Sequence, residues 1–222
     1  MKVFFKCCLV FLIISCAGEI FSQQTENGFF IDDRDGQVYK TVKIGSQLWM
    51  SENLNFGSFE NRARASQQLG EKYCYDNDTS KCSVYGGLYT WDVASSENLC
   101  PDGWHLPSKE EWQQLAKYLG EEEAGQKVKV TPNDKISWDG NNESGLSVIP
   151  SGVSNGFQFI REGQWAIFWT DSPNGEDRAW FAQLDSHWYP MPEKYKKIII
   201  DSFYLKSNLL SVRCIKDYTE KK

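Results

Sequence analysis

Cys100-Pro101-Asp102-Gly103-Trp104-His105-Leu106-Pro107-Ser108-Lys109-Glu110-Glu111-Trp112 is a rigid, turn-rich stretch that runs straight into a helix start. Ser108 and Glu111 stand three residues apart, so each can satisfy a backbone donor that the first helical turn leaves open, the pattern of a capping box. Beyond them Trp112, Leu115, Ala116 and Leu119 recur at i, i+3, i+4 and i+7, which gives the helix one apolar face. Gly120 supplies the stop.

Outward from this helix the chain reads as short strands and turns. Upstream, Val38 to Ile44 alternates with period two, Gly45-Ser46-Gln47 turns and Leu48-Trp49-Met50 returns, a hairpin signature. Asp32-Asp33-Arg34-Asp35-Gly36 fails as a calcium loop, because aligning Gly36 with the loop glycine puts Ile31 and Val42 at ligand positions; it reads as a turn. Phe56 to Gly70 is polar, a loop or a weak helix, Tyr85-Gly86-Gly87 turns, and Thr90 to Ala94 starts a short helix. Downstream, Gly145 to Val153, Phe157 to Ile160, Gln164 to Thr170, Arg178 to Leu184 and Leu209 to Cys214 are short strand-like runs separated by Asn, Gly, Pro and Ser. Trp165, Ile167 and Trp169 share one strand face, which is assigned to the core. In the last run Leu210, Val212 and Cys214 point one way and Ser211 and Arg213 the other.

Composition agrees with this reading. Nine Trp, ten Tyr and thirteen Phe favour a loop-heavy, half-buried β structure over a helical bundle. The formal charge of -6 supplies no basic face for phosphates, so no nucleic-acid partner is expected.

The first residues read as an export signal. Lys2 and Lys6 precede the apolar run Cys7 to Cys16, which closes on Ser15, Ala17 and Gly18. That run is half the roughly 20 residues a membrane-spanning helix needs. Two cleavage chemistries fit: Ile13-Ile14-Ser15-Cys16 resembles a lipobox, which would lipidate Cys16 and anchor the protein, and Ser22-Gln23 resembles an ordinary signal-peptidase site. The organisation is thus a leader at 1–22, a short lead-in at 23–28, one domain at 29–217 and a charged tail at 218–222. About 200 residues after the leader suffice for one core and not for two. The only membrane contact expected is through the lipid, at the outer membrane or cell surface; free secretion is the other outcome.

Of seven cysteines, Cys74, Cys82, Cys100 and Cys214 remain after the leader and Cys16 are set aside, an even number suited to an oxidising compartment. Four cysteines allow three pairings. Cys74 and Cys82 flank a turn-rich loop that can bring them together, which leaves Cys100 for Cys214. With no C-x-x-C and only His105 and His187, no metal and no cofactor is expected.

Several segments carry a resemblance in a fixed order: Asp35-Gly36-Gln37-Val38-Tyr39, Trp49-Met50-Ser51-Glu52-Asn53-Leu54, Gly87-Leu88-Tyr89-Thr90-Trp91, the Cys100 to Pro107 stretch, Phe168-Trp169-Thr170 and Ser211-Val212-Arg213-Cys214-Ile215-Lys216-Asp217. Together they resemble the Fibrobacter succinogenes major paralogous domain, over residues 29 to 217. Members of that family are typically exported or lipid-anchored and mostly have no assigned biochemical function. Trp104 to Trp112 and Val212-Arg213-Cys214 also resemble segments of formylglycine-generating-enzyme domains. What this implies is an α+β class, an irregular C-type-lectin-like fold with small antiparallel sheets and one or two packed helices. The copper-oxidase activity is not implied, because Cys214 is the only cysteine of the C-terminal third, and no calcium-lectin Glu-Pro-Asn or Gln-Pro-Asp triplet occurs.

The expected function is therefore an exported, non-enzymatic binding or structural module recognising an extracellular polysaccharide or protein. Its expected contacts are Trp188 and Tyr189, in a proline-flanked irregular segment, with Asp171, Asp177 and Arg178 as polar neighbours. The alternative is an uncharacterised hydrolase or oxidoreductase that uses His105, with Glu110 or Glu111, or an acidic loop.

Overall fold

The computed structural model describes residues 27–60, 71–186 and 194–217. Strands β1 (Asn27–Ile31), β2 (Val38–Ile44) and β3 (Gln47–Met50) form an antiparallel meander. Its first turn follows the Asp-Gly signal: Asp32 and Gln37 close it through a backbone hydrogen bond of 2.9 Å, and Gly36 takes φ 73°. Then come β4 (Ser58–Phe59), β5 (Glu71–Lys72), helix α1 (Thr79–Tyr85), β6 (Leu88–Tyr89), α2 (Trp91–Ala94), α3 (Lys109–Leu119) and α4 (Ala124–Val128). The second half holds β7 (Val153–Ser154), β8 (Phe159–Ile160), β9 (Trp165–Asn174), β10 (Arg178–Asp185), β11 (Ile199–Asp201), β12 (Leu210–Ser211) and β13 (Ile215–Asp217).

Two sheets dominate. One has the order β1-β2-β3-β13, so the last strand pairs antiparallel with β3, Ile215 opposite Trp49, and both ends of the described chain lie in it. The other has the order β11-β10-β9-β12-β6, with β12 parallel to β9. The class is α+β. Instead of one or two helices the described residues contain four, three of them short.

From Ala166 to Thr170 strand β9 is buried on both faces. Ile167 and Trp169 join one apolar cluster with Tyr39, Met50, Leu54 and Val212; Ala166 and Phe168 join the other with Val42, Trp49, Trp112 and Leu115. The expected face is thus core, and so is its reverse. The capped helix sits where the sheets meet: Trp112 is fully buried, with ring centroids 4.8 Å from Trp49 and 5.4 Å from Phe168. The capping box forms as the spacing predicts, and Gly120 ends α3 in the left-handed region.

The final run does not make the single strand expected from Leu209 to Cys214. Leu210 and Ser211 belong to the second sheet, Ile215 to Asp217 to the first, and Val212 to Cys214 cross between them. Both faces of this crossing are covered, and period-two alternation presumes one open face. Cys214 bonds Cys100, closing 114 residues, and Cys74 bonds Cys82, so of three possible pairings the one left by the short loop is present. By chain entropy the long link contributes about 4–5 kcal/mol. The Cys74–Cys82 loop is no mere turn, since Asp78 caps the start of α1 inside it.

Trp112→Ala is expected to cost about 3–5 kcal/mol and Ser108→Ala about 1 kcal/mol in chemical denaturation. A Trp112→Ala protein as stable as the parent would remove the ring from the joint between the sheets.

Candidate functional site

A polar cleft of about 390 Å³ opens between β2, the segment after β3, the end of α1 and the 130–149 loops. Tyr39, Glu52, Asn53, Tyr85 and Ser147 line its walls, together with Arg213, which is only 1 % exposed. Each wall is fixed by its own bonds. The Tyr39 hydroxyl accepts the Asn55 backbone N–H at 3.0 Å, and the Asn53 amide donates to the Tyr85 carbonyl at 2.9 Å. Glu52 accepts the Lys40 backbone N–H at 2.8 Å. Gly86 closes α1 at φ 79°, and a Cβ there would come within 2.7 Å of the Asn53 Cβ, so only glycine lets the two segments meet.

Arg213 enters from the crossing segment. Its Nε and Nη2 donate to Asn53 Oδ1 at 3.2 and 2.5 Å, its Nη1 donates to the Leu146 carbonyl, and its guanidinium lies 5.3 Å from the Phe168 ring centre. Burial pulls its pKa down from 12.5 to about 9, against a small opposing pull from Glu52. The sequence pattern had only turned Arg213 away from Cys214; a strand end with both faces covered was the missing signal.

The expected site residues fall elsewhere. Cys16, Trp188 and Tyr189 lie outside the described residues. Asp171 in β9, Asp177 in the following turn and Arg178 in β10 are exposed on one hairpin, where they tie it to its neighbours. The Asp171 N–H donates to the Pro107 carbonyl at 3.0 Å, the Asp177 carbonyl accepts the Lys206 N–H at 2.8 Å, and Arg178 donates to the Phe203 carbonyl at 3.1 Å. None of the three lines the cleft. Two half-exposed rings near that hairpin, Trp91 and Trp180, are covered by Lys206 and Lys109, each 4.5 Å from its ring centre.

His105 stands at the helix start. Its backbone pairs with Ile215 through two 2.9 Å bonds, and its Nε2 lies 2.8 Å from Glu111 Oε1. The other Glu111 oxygen accepts the Ser108 N–H at 2.7 Å and its hydroxyl at 3.0 Å. One carboxylate oxygen thus meets the imidazole and the other serves the cap. Burial pushes the Glu111 carboxyl up, but His105 and Ser108 together outweigh it and hold the pKa below 4.5.

A carboxyl whose pKa is depressed on folding stabilises fully above its unfolded value and loses that contribution as pH falls through the folded value. The stability difference between the parent and Glu111→Gln is therefore expected to shrink as the pH falls below about 4.5. In His105→Ala the contribution should be smaller and be lost completely at a higher pH, because one of the groups holding the carboxyl down is gone. Denaturation curves from pH 2 to 7 check both; an unshifted profile in His105→Ala would separate the imidazole from the cap.

No curated protein and no solved structure matches the chain. Residues 42–216 match the family model of the Fibrobacter succinogenes major domain, a span that begins in β2 and ends in β13 and so takes in the whole second sheet, the first sheet without β1, both disulfides and every wall of the cleft except those before Val42. With that much of its length matched, the chain belongs to the Fibrobacter succinogenes major domain family.

Proposed function

We propose that the chain is an exported, non-enzymatic recognition module of the cell surface or periplasm that seats part of an extracellular polysaccharide or protein in the cleft over Arg213. The observation that carries this reading is the fixed geometry of the cleft. Its polar walls are held by bonds to backbone groups on several segments, so a ligand would meet donors and acceptors that need little ordering. Two disulfides suit an oxidising environment, and no helix among the described residues is long and apolar enough to cross a membrane. A relation to C-type-lectin-like domains is supported by the placement of both ends of the described chain in one small sheet with α3 packed against it. Glu111, the carboxylate that His105 meets, is at the same time the capping residue of α3, which favours a structural role for the pair.

Tyr85→Ala should weaken binding to isolated envelope polysaccharides and to whole cells by about tenfold or more while leaving the melting temperature nearly unchanged, since the ring is only half-buried. Retained binding with an intact fold would remove the cleft as the ligand seat. For the anchor, Cys16→Ala is expected to move the protein from the membrane fraction to the soluble fraction, and a fatty-acid analogue should label the parent and not the variant. An unlabelled parent would leave a freely secreted module.

A further inference from the structure

Among the described residues two cationic side chains are buried, Lys129 and Arg213. Lys129 has its counter-charge inside the protein: the ammonium lies 2.6 Å from Asp139, and its remaining donors reach the Asp185 and Tyr195 carbonyls at 3.0 and 2.9 Å. Arg213 has none. Its bonds go to an amide oxygen and a backbone carbonyl, both neutral, and no carboxylate among the described residues pairs with it. Glu52 acts on it only through space and is itself held by the Lys40 backbone.

A buried charge without a partner is costly, and it persists where something supplies the opposite charge. Three of the five guanidinium N–H groups are used, which leaves one on each terminal nitrogen, the pair that a carboxylate bridges with its two oxygens. Around Arg213 the cleft is lined by Ser51, Asn53, Ser147 and the Tyr85 ring, and its volume of about 390 Å³ suits one or two sugar rings. Glu52 and Asp134 also line it, offset by Lys40 and Lys135, so the discriminating charge is the buried one.

Resting on the reading of the chain as a recognition module, we propose that this cleft is a carboxylate-binding subsite that takes a uronic acid unit of an acidic polysaccharide, with Arg213 as the anion anchor. The ring hydroxyls meet the polar walls, and the carboxylate completes the charge that the fold leaves open.

The test titrates the full-length protein with galacturonic acid, its methyl ester and galactose, following the melting temperature and heat of binding. These probes share a ring and differ in charge. Galacturonate should bind at least about tenfold more tightly than the ester or galactose, the margin of a charge-assisted hydrogen bond, and weaken as salt rises. Arg213→Met should abolish the preference while keeping the fold, since an apolar chain of similar length removes an unpaired charge. The comparison of acid with ester needs only the parent protein and stands even if that variant fails to fold. Equal binding of acid and ester, sensitive to Tyr85→Ala, would overturn the charge assignment and leave the recognition reading in place. Binding of a short peptide through its free C-terminal carboxylate, with no response to galacturonate, would overturn the sugar assignment. No response to any probe, together with polysaccharide binding that survives Tyr85→Ala, would remove the cleft altogether.

Discussion

The passage of Val212, Arg213 and Cys214 from one sheet to the other sets the position of nearly everything else. The Cys214 carbonyl accepts the Met50 N–H at 3.1 Å, and the Val212 carbonyl accepts the Leu54 N–H at 2.8 Å. Through these bonds the segment after β3 is stitched to the crossing, and through the Cys100 link the stretch before α3 is fastened to the same point. Val212 and Cys214 fill one apolar cluster and Ile215 the other, so one short segment joins the two sheets and the two halves of the core. Arg213, between Val212 and Cys214, belongs to neither cluster and reaches the cleft. Its side chain can point only into the cleft wall, where Asn53 meets it.

The two buried cations show how differently the same electrostatic demand can be met. Lys129 ties a long loop to the end of β10, and Gly140 allows the approach, because a Cβ there would lie 2.1 Å from the Lys129 carbonyl oxygen. With Asp139 beside it, that ion pair is closed and acts as a structural rivet. Arg213 is held just as firmly by neutral acceptors and keeps its charge uncompensated. Rigid placement and an open charge are the combination expected of a group arranged for something outside the chain.

Much of this architecture was legible beforehand. The helix start at Ser108, the hairpin through Gly45, the Asp-Gly turn and the shared face of Ile167 and Trp169 depend on neighbours along the chain, where spacing carries the information. What escaped depends on distant segments. Helix α1 is seven residues long and begins in a loop that reads as turns, since its cap at Asp78 has no long apolar stripe behind it to confirm it. The run from Leu209 to Cys214 has the alternation of one strand, yet it is divided between sheets because both of its faces are covered by segments more than 100 residues away, Met50 and Leu54 among them. The cleft escaped for the same reason: Tyr39, Asn53, Tyr85 and Arg213 converge only after both sheets are in register.

The placement of β12 and β13 also bears on when folding can occur. These strands come last in the described chain but take inner or closing positions, β12 between β9 and β6, β13 against β3. Until they arrive, β9 has one edge open, β3 lacks its outer neighbour and Cys100 has no partner. Such non-local pairing makes completion slow and late. A chain leaving the ribosome therefore stays without its finished core until these late strands are free, and the Cys100–Cys214 bond can close only after they have arrived.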